Sequence, residues 1–342
     1  MNAMLLEKLM PVTENATPLR LVEWPEPQPG PQEVLLQVSA CGVCHTELDE
    51  IEGRTPPTSL PRVLGHQAVG RVIACGSKVT EHQVGDRLGV GWIASSCGNC
   101  PHCQAGDENL CAEFHATGRD IDGGYAQSMV IDQHFAYPVP DQLTDVQAAP
   151  LLCAGAIGYR SLRLSGLQNG QRLGLTGFGA SAHLVLQLAR HQIPDSDIYI
   201  FARNPQERRF ALSLGACWAG DTLDKPPRLL DAIIDTTPVW TPIVAAMKCL
   251  APGGRLVINA IRKEDADKSA LLQLDYPSHL WMEKEIKSVA NVARRDVSEF
   301  LQLAVDAGID PEIELFDLAD ANRALIELKT RRVRGAKVLQ IA

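Results

Sequence analysis

The stretch LTGFGASAHL (175–184) decides the expected fold of the middle of this chain. It places Gly177, Gly179 and Ala182 in G-x-G-x-x-A spacing, after an expected strand and before an expected helix. In this pattern the first glycine makes a tight turn, the second lets a pyrophosphate approach the backbone, and the small third residue allows close helix packing. A glycine pattern alone is weak evidence, but in this context it predicts a dinucleotide-binding site.

The segments around this stretch alternate between strand and helix patterns. Strands are expected at 171–176, 198–201, 232–235 and 255–261, the last entered through the turn APGG (251–254), with helices at 181–192 and 205–215. Such alternation predicts a doubly wound parallel sheet of the Rossmann type. The preceding part of the chain is β-rich, and two helical segments and a closing strand follow residue 295. The expected fold class is therefore α/β plus a β-rich part.

The end of the second expected strand bears on the choice between NAD and NADP. A carboxylate there would bind the ribose 2′-hydroxyl group, whereas an arginine would accommodate a 2′-phosphate. The strand IYIF runs into Ala202 and Arg203, with Arg208 and Arg209 in the next helix and no acidic residue at the strand end. This favours NADP. Use of both cofactors, or a solvated Arg203 without a role in binding, also fits the pattern.

Four cysteines lie close together in SSCGNCPHCQAGDENLCAEF (95–114). Cys97, Cys100, Cys103 and Cys111 have the C-x2-C-x2-C-x7-C spacing with which four thiolates converge on one tetrahedral structural zinc ion. The alternative is a disulfide framework, which is disfavoured because nothing in the sequence suggests secretion. A second group, Cys44, His66 and Cys153, is dispersed, and by spacing alone a buried cysteine or core histidine is the ordinary interpretation.

The length and net charge of the chain limit the number of domains and the kinds of partner that we expect. A chain of 342 residues suggests about two domains. Its formal net charge of −9 argues against nucleic acid or an anionic membrane as the main partner. The sequence has no apolar run of the ~20 residues that a membrane span needs, and its N-terminus lacks the pattern of a signal peptide. We therefore expect a cytoplasmic protein with a small-molecule substrate.

Several motifs together resemble those of zinc-dependent medium-chain alcohol dehydrogenases, over essentially the whole chain and in the family's order. CGVCHTEL (41–48) is similar to the family's CGVCHTDL, LGHQAVGRV (64–72) to its GHE box, and VGDRLGVGW (84–92) to its GDRVGVxW. The four-cysteine run, DGGYAQSMV (122–130), GFGASA (177–182) and APGG (251–254) complete the series.

The resemblance implies a fold, two metal sites and a reaction. It implies a GroES-like catalytic zinc domain at 1–150 and 291–342, and a Rossmann dinucleotide-binding domain at 151–290. It implies one structural zinc ion at the four clustered cysteines, and one catalytic zinc ion at Cys44, His66 and Cys153. The implied reaction is hydride transfer between a small alcohol or aldehyde and NAD(P), with zinc activating the substrate oxygen.

The resemblance also implies roles for residues around the catalytic ion. Thr46 resembles the family residue whose hydroxyl group passes the substrate proton outward. His45 occupies the position of a side chain that approaches the cofactor pyrophosphate. Trp92 resembles a residue that forms an aromatic wall of the substrate pocket. Two residues depart from the family pattern. Gln67 replaces a glutamate beside the histidine ligand, and Asp49 stands where many members carry the histidine that ends the proton relay.

The leading interpretation is therefore a zinc-dependent alcohol dehydrogenase or aldehyde reductase. A polyol or sugar dehydrogenase of the same superfamily is a second interpretation, and a non-catalytic NADPH-binding protein is a third. The departures at Gln67 and Asp49 are the only support for the third, and the presence of all seven expected zinc ligands and of Thr46 speaks against it. By resemblance we expect a homo-oligomer, a tetramer or a dimer. The physiological substrate is left open at this stage, because pocket residues come from distant segments.

Overall fold

A computed structural model describes residues 1–330 and 335–341. The chain forms two compact units. The first comprises Met1–Cys153, Val292–Val305 and Asp310–Ala342, and the second comprises Ala154–Asn291 and Asp306–Ile309. In the described ranges we find no helix with both the length and the apolar character required to cross a bilayer.

The first unit is built mainly from strands. Its first ten strands are β1 (Asn2–Leu6), β2 (Leu19–Glu23), β3 (Glu33–Val43), β4 (Arg62–Val63), β5 (Ala68–Cys75), β6 (Arg87–Val90), β7 (Ile93–Ser95), β8 (His115–Ala116), β9 (Ser128–Asp132) and β10 (Ala136–Pro138). Its first helices are α1 (His45–Ile51), α2 (Pro101–Gln104) and α3 (Asp145–Pro150), with 3₁₀ turns at Glu108–Leu110 and Gln133–Phe135 and a π turn at Leu151–Gly155.

The second unit alternates strands and helices. Its helices and strands are α4 (Ala156–Ser165), β11 (Arg172–Thr176), α5 (Ala180–Gln192), β12 (Asp197–Phe201), α6 (Pro205–Ser213), β13 (Trp218–Gly220), β14 (Leu230–Asp235), α7 (Thr241–Cys249), β15 (Leu250–Ile258), α8 (Tyr276–His279) and β16 (Glu285–Ser288). A 3₁₀ segment lies at Lys268–Gln273. The chain then forms α9 (Arg294–Asp306), β17 (Ile313–Asp317), a 3₁₀ turn at Leu318–Asp320, α10 (Ala321–Lys329) and β18 (Ala336–Gln340).

The main sheet of the first unit has the strand order β10-β6-β5-β3-β18-β17, with β9 also paired to β3. Its centre is β3, whose eleven residues are mostly buried, as expected for a strand covered on both faces. The closing strand β18 lies antiparallel to β3, with Val338 opposite Gly42. Distant ends of the sequence therefore meet at the strand that leads into Cys44. Smaller sheets, β2-β1-β4 and β7-β8, complete this unit.

The second unit contains the parallel sheet that the sequence predicts. Its order is β13-β12-β11-β14-β15-β16, and every pair in it is parallel. The strand β11 lies between β12 and β14, with Leu175 opposite both Ile200 and Ile234. One local expectation differs: the predicted turn 251–254 is an irregularity inside β15, which begins at Leu250 and shifts register before Arg255. The fold class is confirmed.

A buried ion pair lies at the carboxyl end of β14. Asp235 is fully buried, and the side chain of Lys263 is 7% exposed. The Lys263 ammonium group contacts Asp235 Oδ2 and donates to the carbonyl oxygen of Thr237 at 2.5 Å and that of Val239 at 3.3 Å. The ammonium group therefore satisfies a buried carboxylate and two backbone acceptors that would otherwise lie in a medium of low polarity.

We expect Lys263→Met to lower the free energy of unfolding by about 3 kcal/mol, because it leaves the Asp235 carboxylate buried without its cation. Lys268→Met is the matched control, since the Lys268 side chain is 63% exposed and pairs, within the described residues, with the exposed Asp265. That change should cost no more than about 0.5 kcal/mol. Denaturant unfolding followed by fluorescence measures both, and equal midpoints for the two variants would contradict a structural role for the Lys263 pair.

Candidate metal centres and cofactor-binding loop

The structure brings Cys44, His66 and Cys153 together within the first unit. One ligand atom from each of the three lies within 4.8 Å of the other two. Cys44 follows β3 directly, His66 lies between β4 and β5, and Cys153 lies in the π turn Leu151–Gly155. Two thiolates and an imidazole at this separation are a donor set suited to zinc, with a fourth position left for water or substrate.

Gly65 sets the backbone that delivers His66 to this centre. Its φ is +98°, and a Cβ atom there would lie 2.4 Å from Cδ1 of Tyr125 and 3.0 Å from Sγ of Cys41. Both neighbours are fully buried, so neither has free space into which to move. A side chain at position 65 would therefore displace the His66 backbone, which explains a glycine immediately before this candidate metal ligand.

Glu47 joins two of the three ligands. Its Oε1 lies 2.5 Å from Nδ1 of His66, and its Oε2 accepts the Cys44 backbone N–H at 2.8 Å. The Nε2 atom of His66 is buried without a hydrogen-bond partner in the described part of the chain. Glu47 thus fixes the ring so that Nε2 faces the ligand position. Sequence analysis missed this role, although an acidic residue three positions after Cys44, in the first turn of α1, is the signal for it.

The two thiols of the centre influence one another. The interaction with Cys153 holds the pKa of Cys44 well below its ordinary value, and the same interaction raises the pKa of Cys153 well above it. Burial raises the pKa of Glu47. A divalent cation bound here would leave both sulfurs as thiolates. The unpartnered His66 nitrogen and this thiol pair therefore fit a zinc ion.

The predicted relay residues lie on α1. Thr46 is buried, and its Oγ1 lies 3.6 Å from Sγ of Cys44, next to the centre. Asp49 is also buried, and its Oδ1 lies 2.6 Å from the guanidinium group of Arg54. His45, the first residue of α1, is exposed. The structure thus places Thr46 at the centre and shows that the Asp49 carboxylate engages an arginine.

Trp92 lies immediately beyond β6 and is 8% exposed. Its ring centroid is 5.2 Å from that of Phe114, and the guanidinium carbon of Arg119 lies 5.3 Å from the Trp92 centroid and 5.4 Å from the Phe114 centroid. The indole Nε1 is buried without a hydrogen-bond partner among the described residues. Trp92 therefore packs against Phe114, and the Arg119 guanidinium group lies over both rings. Nothing in the sequence indicated that Phe114 and Arg119 would contact Trp92.

The four clustered cysteines converge as their spacing predicts. Their ligand atoms all lie within 4.8 Å of one another. The sulfur of Cys103 is 3.5 Å from that of Cys100 and 3.9 Å from that of Cys97, and the sulfurs of Cys111 and Cys97 are 3.5 Å apart. All ten cysteines of the chain are described and are free thiols, which excludes a disulfide framework in this structure. Separations of this size fit four thiolates around one zinc ion.

One feature of this cysteine lobe (95–114) favours metal binding, and a second connects the lobe to the rest of the first unit. The backbone N–H groups of Asn99 and Cys100 lower the pKa of Cys97 to about 7. Glu108, which is 2% exposed, accepts from Arg294 at 2.8 Å and thereby connects the lobe to α9. Thiolate formation near neutral pH favours metal binding.

The predicted cofactor loop lies between β11 and α5, within the second unit. Gly177 has a φ of +77°, and a Cβ atom there would lie 2.9 Å from Oγ1 of Thr236, so a glycine is required. A Cβ atom at Gly179 would meet nothing within 4 Å. Gly179 precedes α5 and provides no side-chain cap for the helix, and Ala182 is fully buried. Open space beside an uncapped helix N-terminus fits a pyrophosphate group.

The basic residues after β12 differ in their surroundings. Arg203 is exposed directly beyond the strand end. Arg208 instead folds back: its Nη1 donates to the carbonyl oxygens of Ala202 at 2.7 Å and Arg203 at 3.0 Å, and lies 3.7 Å from Asp221. Arg208 therefore supports the loop that presents Arg203, whereas Arg203, at the strand end, and Arg209, within α6, are exposed to solvent.

Comparison with known proteins identifies the family. Residues 30–141 match the model of the alcohol dehydrogenase GroES-like domain. A probable alcohol dehydrogenase, AdhA, of Mycobacterium tuberculosis is 41% identical over 95% of this chain and 93% of its own length. Cinnamyl alcohol dehydrogenase 1 of Ocimum basilicum is 32% identical, over 92% of this chain and 89% of its own. The solved structure of a cinnamyl alcohol dehydrogenase from Sorghum bicolor superposes with a TM-score of 0.82 at 26% identity, covering 99% of this chain and 97% of its own.

The motif order, the fold, the two sulfur-rich clusters and these relatives agree with one another. The resemblance predicted from the motifs is therefore confirmed, and this chain belongs to the zinc-type medium-chain alcohol dehydrogenase family.

Proposed function

We propose that this protein interconverts small alcohols and aldehydes by hydride transfer to or from a nicotinamide cofactor, with zinc at Cys44, His66 and Cys153 and with NADP(H) favoured over NAD(H). The observation that carries the proposal is the donor set: two neighbouring thiols and an imidazole whose Nε2 is buried without a partner in the described structure. A protein that only bound NADPH would have no need of such a set.

The residues around this centre supply binding, orientation and proton movement. When bound, zinc acts as a Lewis acid that polarises the substrate oxygen and lowers the pKa of its hydroxyl group. Glu47 holds the His66 ring and the Cys44 backbone in place. Thr46, next to Cys44, is the proposed first acceptor of the substrate proton. Asp49, whose carboxylate is oriented by Arg54, is its proposed outward destination, and His45 is proposed to approach the pyrophosphate.

The proposed substrates are small or flat, and they include aromatic alcohols and aldehydes. The ring pair of Trp92 and Phe114 supports this, because a flat substrate gains contact area against an aromatic wall. The relatives named cinnamyl alcohol dehydrogenase are consistent with it. We assign the role of the catalytic zinc domain, expected at 1–150 and 291–342, to the first unit, which also contains Cys153, and that of the dinucleotide-binding domain, expected at 151–290, to the second unit.

We further propose a cytoplasmic homo-oligomer, a dimer or a tetramer. In the described sheet of the second unit β16 is an edge strand, and its Ile286 is 41% exposed. Trp281 and Met282, just before this strand, are 55% and 50% exposed. An unpaired edge beside large apolar side chains favours association with a second copy.

The proposed reaction predicts turnover that depends on the first metal centre. The protein as isolated should oxidise NADPH with benzaldehyde and with short aliphatic aldehydes, and a zinc chelator should abolish the activity. Cys44→Ser should reduce turnover below detection while cofactor binding and thermal unfolding stay close to wild type, because the centre does not support the parallel sheet. Cys75→Ser, a cysteine outside both clusters, is the control. Full activity of Cys44→Ser would contradict a metal role for this residue.

The cysteine lobe predicts a separate, structural effect. Cys103→Ser should lower the zinc content from two ions per chain to one, and should lower the melting temperature by about 10 °C, since metal binding at such a site is folding free energy. Elemental analysis and differential scanning fluorimetry measure the two quantities. Cys217→Ser, an exposed cysteine outside the clusters, should change neither. Wild-type melting of Cys103→Ser would refute the structural role of the lobe.

The displayed arginine predicts the cofactor preference. Arg203→Ala should raise the KM for NADPH about 10-fold and leave the KM for NADH nearly unchanged, because the 2′-phosphate loses one charged partner. Arg190→Ala, an exposed arginine in the last turn of α5, is the control and should alter neither value. Initial rates with both cofactors give the comparison, and a parallel increase for NADH would show that Arg203 does not read the 2′-phosphate.

A further inference from the structure

Glu50 is a buried carboxylate for which the described structure provides no partner. The residue lies in α1 and is 1% exposed, and both of its carboxylate oxygens are buried without a hydrogen-bond partner among the described residues. Leaving an ionised carboxylate in this condition costs several kcal/mol. Native structures avoid that cost by placing a hydrogen-bond donor or a cation nearby. The residues around Glu50 therefore show which of these two could satisfy its carboxylate.

The surroundings of Glu50 are those of the catalytic centre. Glu47 and Glu50 are three residues apart on α1 and so lie on the same face of the helix. Glu47 contacts both His66 Nδ1 and the Cys44 backbone N–H, so this face of α1 borders two of the proposed metal ligands. The charged groups that affect the pKa of Glu50 include Glu47, His66, Cys44 and Arg119. Burial, together with the neighbouring Glu47, raises the pKa of Glu50 well above its ordinary value, so the cation-free centre disfavours its charge.

Arg119 does not neutralise Glu50 by direct contact. Its Nη2 donates to Oδ2 of Asp120 at 2.7 Å, and its Nε lies 3.1 Å from Oδ1 of the same carboxylate. The guanidinium group is therefore paired with Asp120 while it covers the Trp92 ring. The positive charges that remain near Glu50 are a protonated His66 ring and, in its place, the metal ion that Cys44, His66 and Cys153 would hold.

The residue beside the histidine ligand makes this candidate more specific. The family pattern has a glutamate there, and this chain has Gln67, which is 3% exposed and carries no charge. We propose that Glu50 is a positioning residue of the catalytic metal centre, whose carboxylate charge attracts the bound cation and replaces the one that Gln67 lacks. The proposal rests on the catalytic zinc of the proposed function, and it makes Glu50 responsible for part of the affinity of that site for its metal.

A metal-binding role and a purely structural role predict opposite patterns on removal of the charge. Glu50→Gln removes a buried carboxylate whose ionised form is unfavourable without metal, so metal-free Glu50→Gln should melt at or above the wild-type temperature. The same variant should bind zinc at the catalytic site about 10-fold more weakly, as is usual when a group that supports a ligand set is lost. A structural role would instead lower the melting temperature of the metal-free protein.

The experiment follows zinc transfer from intact protein to a colorimetric chelator, in wild type, Glu50→Gln and Glu50→Gln/Gln67→Glu. The phase that is absent from Cys44→Ser reports the catalytic site. We expect the double variant to recover to within about 3-fold of wild type, because it restores a carboxylate at position 67. Glu52→Gln is the matched control on the same helix end, since Glu52 accepts from Val12 N–H and pairs with Arg54 and Lys329. It should lower the melting temperature without changing the zinc phase.

The possible failures are distinguishable. A wild-type protein with no Cys44-dependent zinc would overturn the proposed function and this inference together. A wild-type protein that holds this zinc, with unchanged zinc transfer in Glu50→Gln, would overturn the inference alone. Weaker zinc binding accompanied by a lower melting temperature of the metal-free variant, and without recovery in the double variant, would also overturn it and assign Glu50 a structural role.

Discussion

The hydrogen bond between Glu47 and His66 is the interaction on which the proposed catalytic metal centre depends. A buried carboxylate beside a buried imidazole is unfavourable for each group alone, but together they satisfy one another at 2.5 Å. The other carboxylate oxygen accepts the Cys44 backbone N–H, so a single side chain orients two ligands from different segments. Removal of Glu47 would free the His66 ring to rotate and would leave Nδ1 to compete with Nε2 for the metal.

This arrangement requires the far end of the chain. Cys44 follows the last residue of β3, and β18, more than 290 residues later in the sequence, pairs with that end of β3 through Val338 and Gly42. The position of one ligand is thereby fixed by a strand pairing of very long sequence separation. His66 depends on a positive-φ glycine, and Cys153 on a π turn of the kind that is common at functional sites. The centre is thus a product of the completed sheet.

Most of this architecture could be predicted because it follows from the spacing of particular residues along the sequence. The four clustered cysteines, the glycine pattern before α5 and the alternation of strands and helices each follow from local chain geometry. What could not be predicted depends on the direction of side chains between distant segments. The sequence shows an arginine at 208 and an aspartate at 49, but only the folded structure shows that Arg208 turns back to its own loop and that Asp49 pairs with Arg54. The bulge inside β15 was missed because APGG also has the composition of a turn.

Gln67 and Glu50 illustrate why sequence position is a poor guide to electrostatics. In the sequence, the amide of Gln67 replaces a carboxylate beside the proposed histidine ligand. In the folded structure, the Glu50 carboxylate of α1 is buried near Glu47, His66 and Cys44, without a hydrogen-bond partner in the described structure. Coulomb energy depends on distance and on the polarity of the medium, not on which residue carries the charge. The effect of a departure from a family motif on function can therefore be judged only together with the other buried charges around the site.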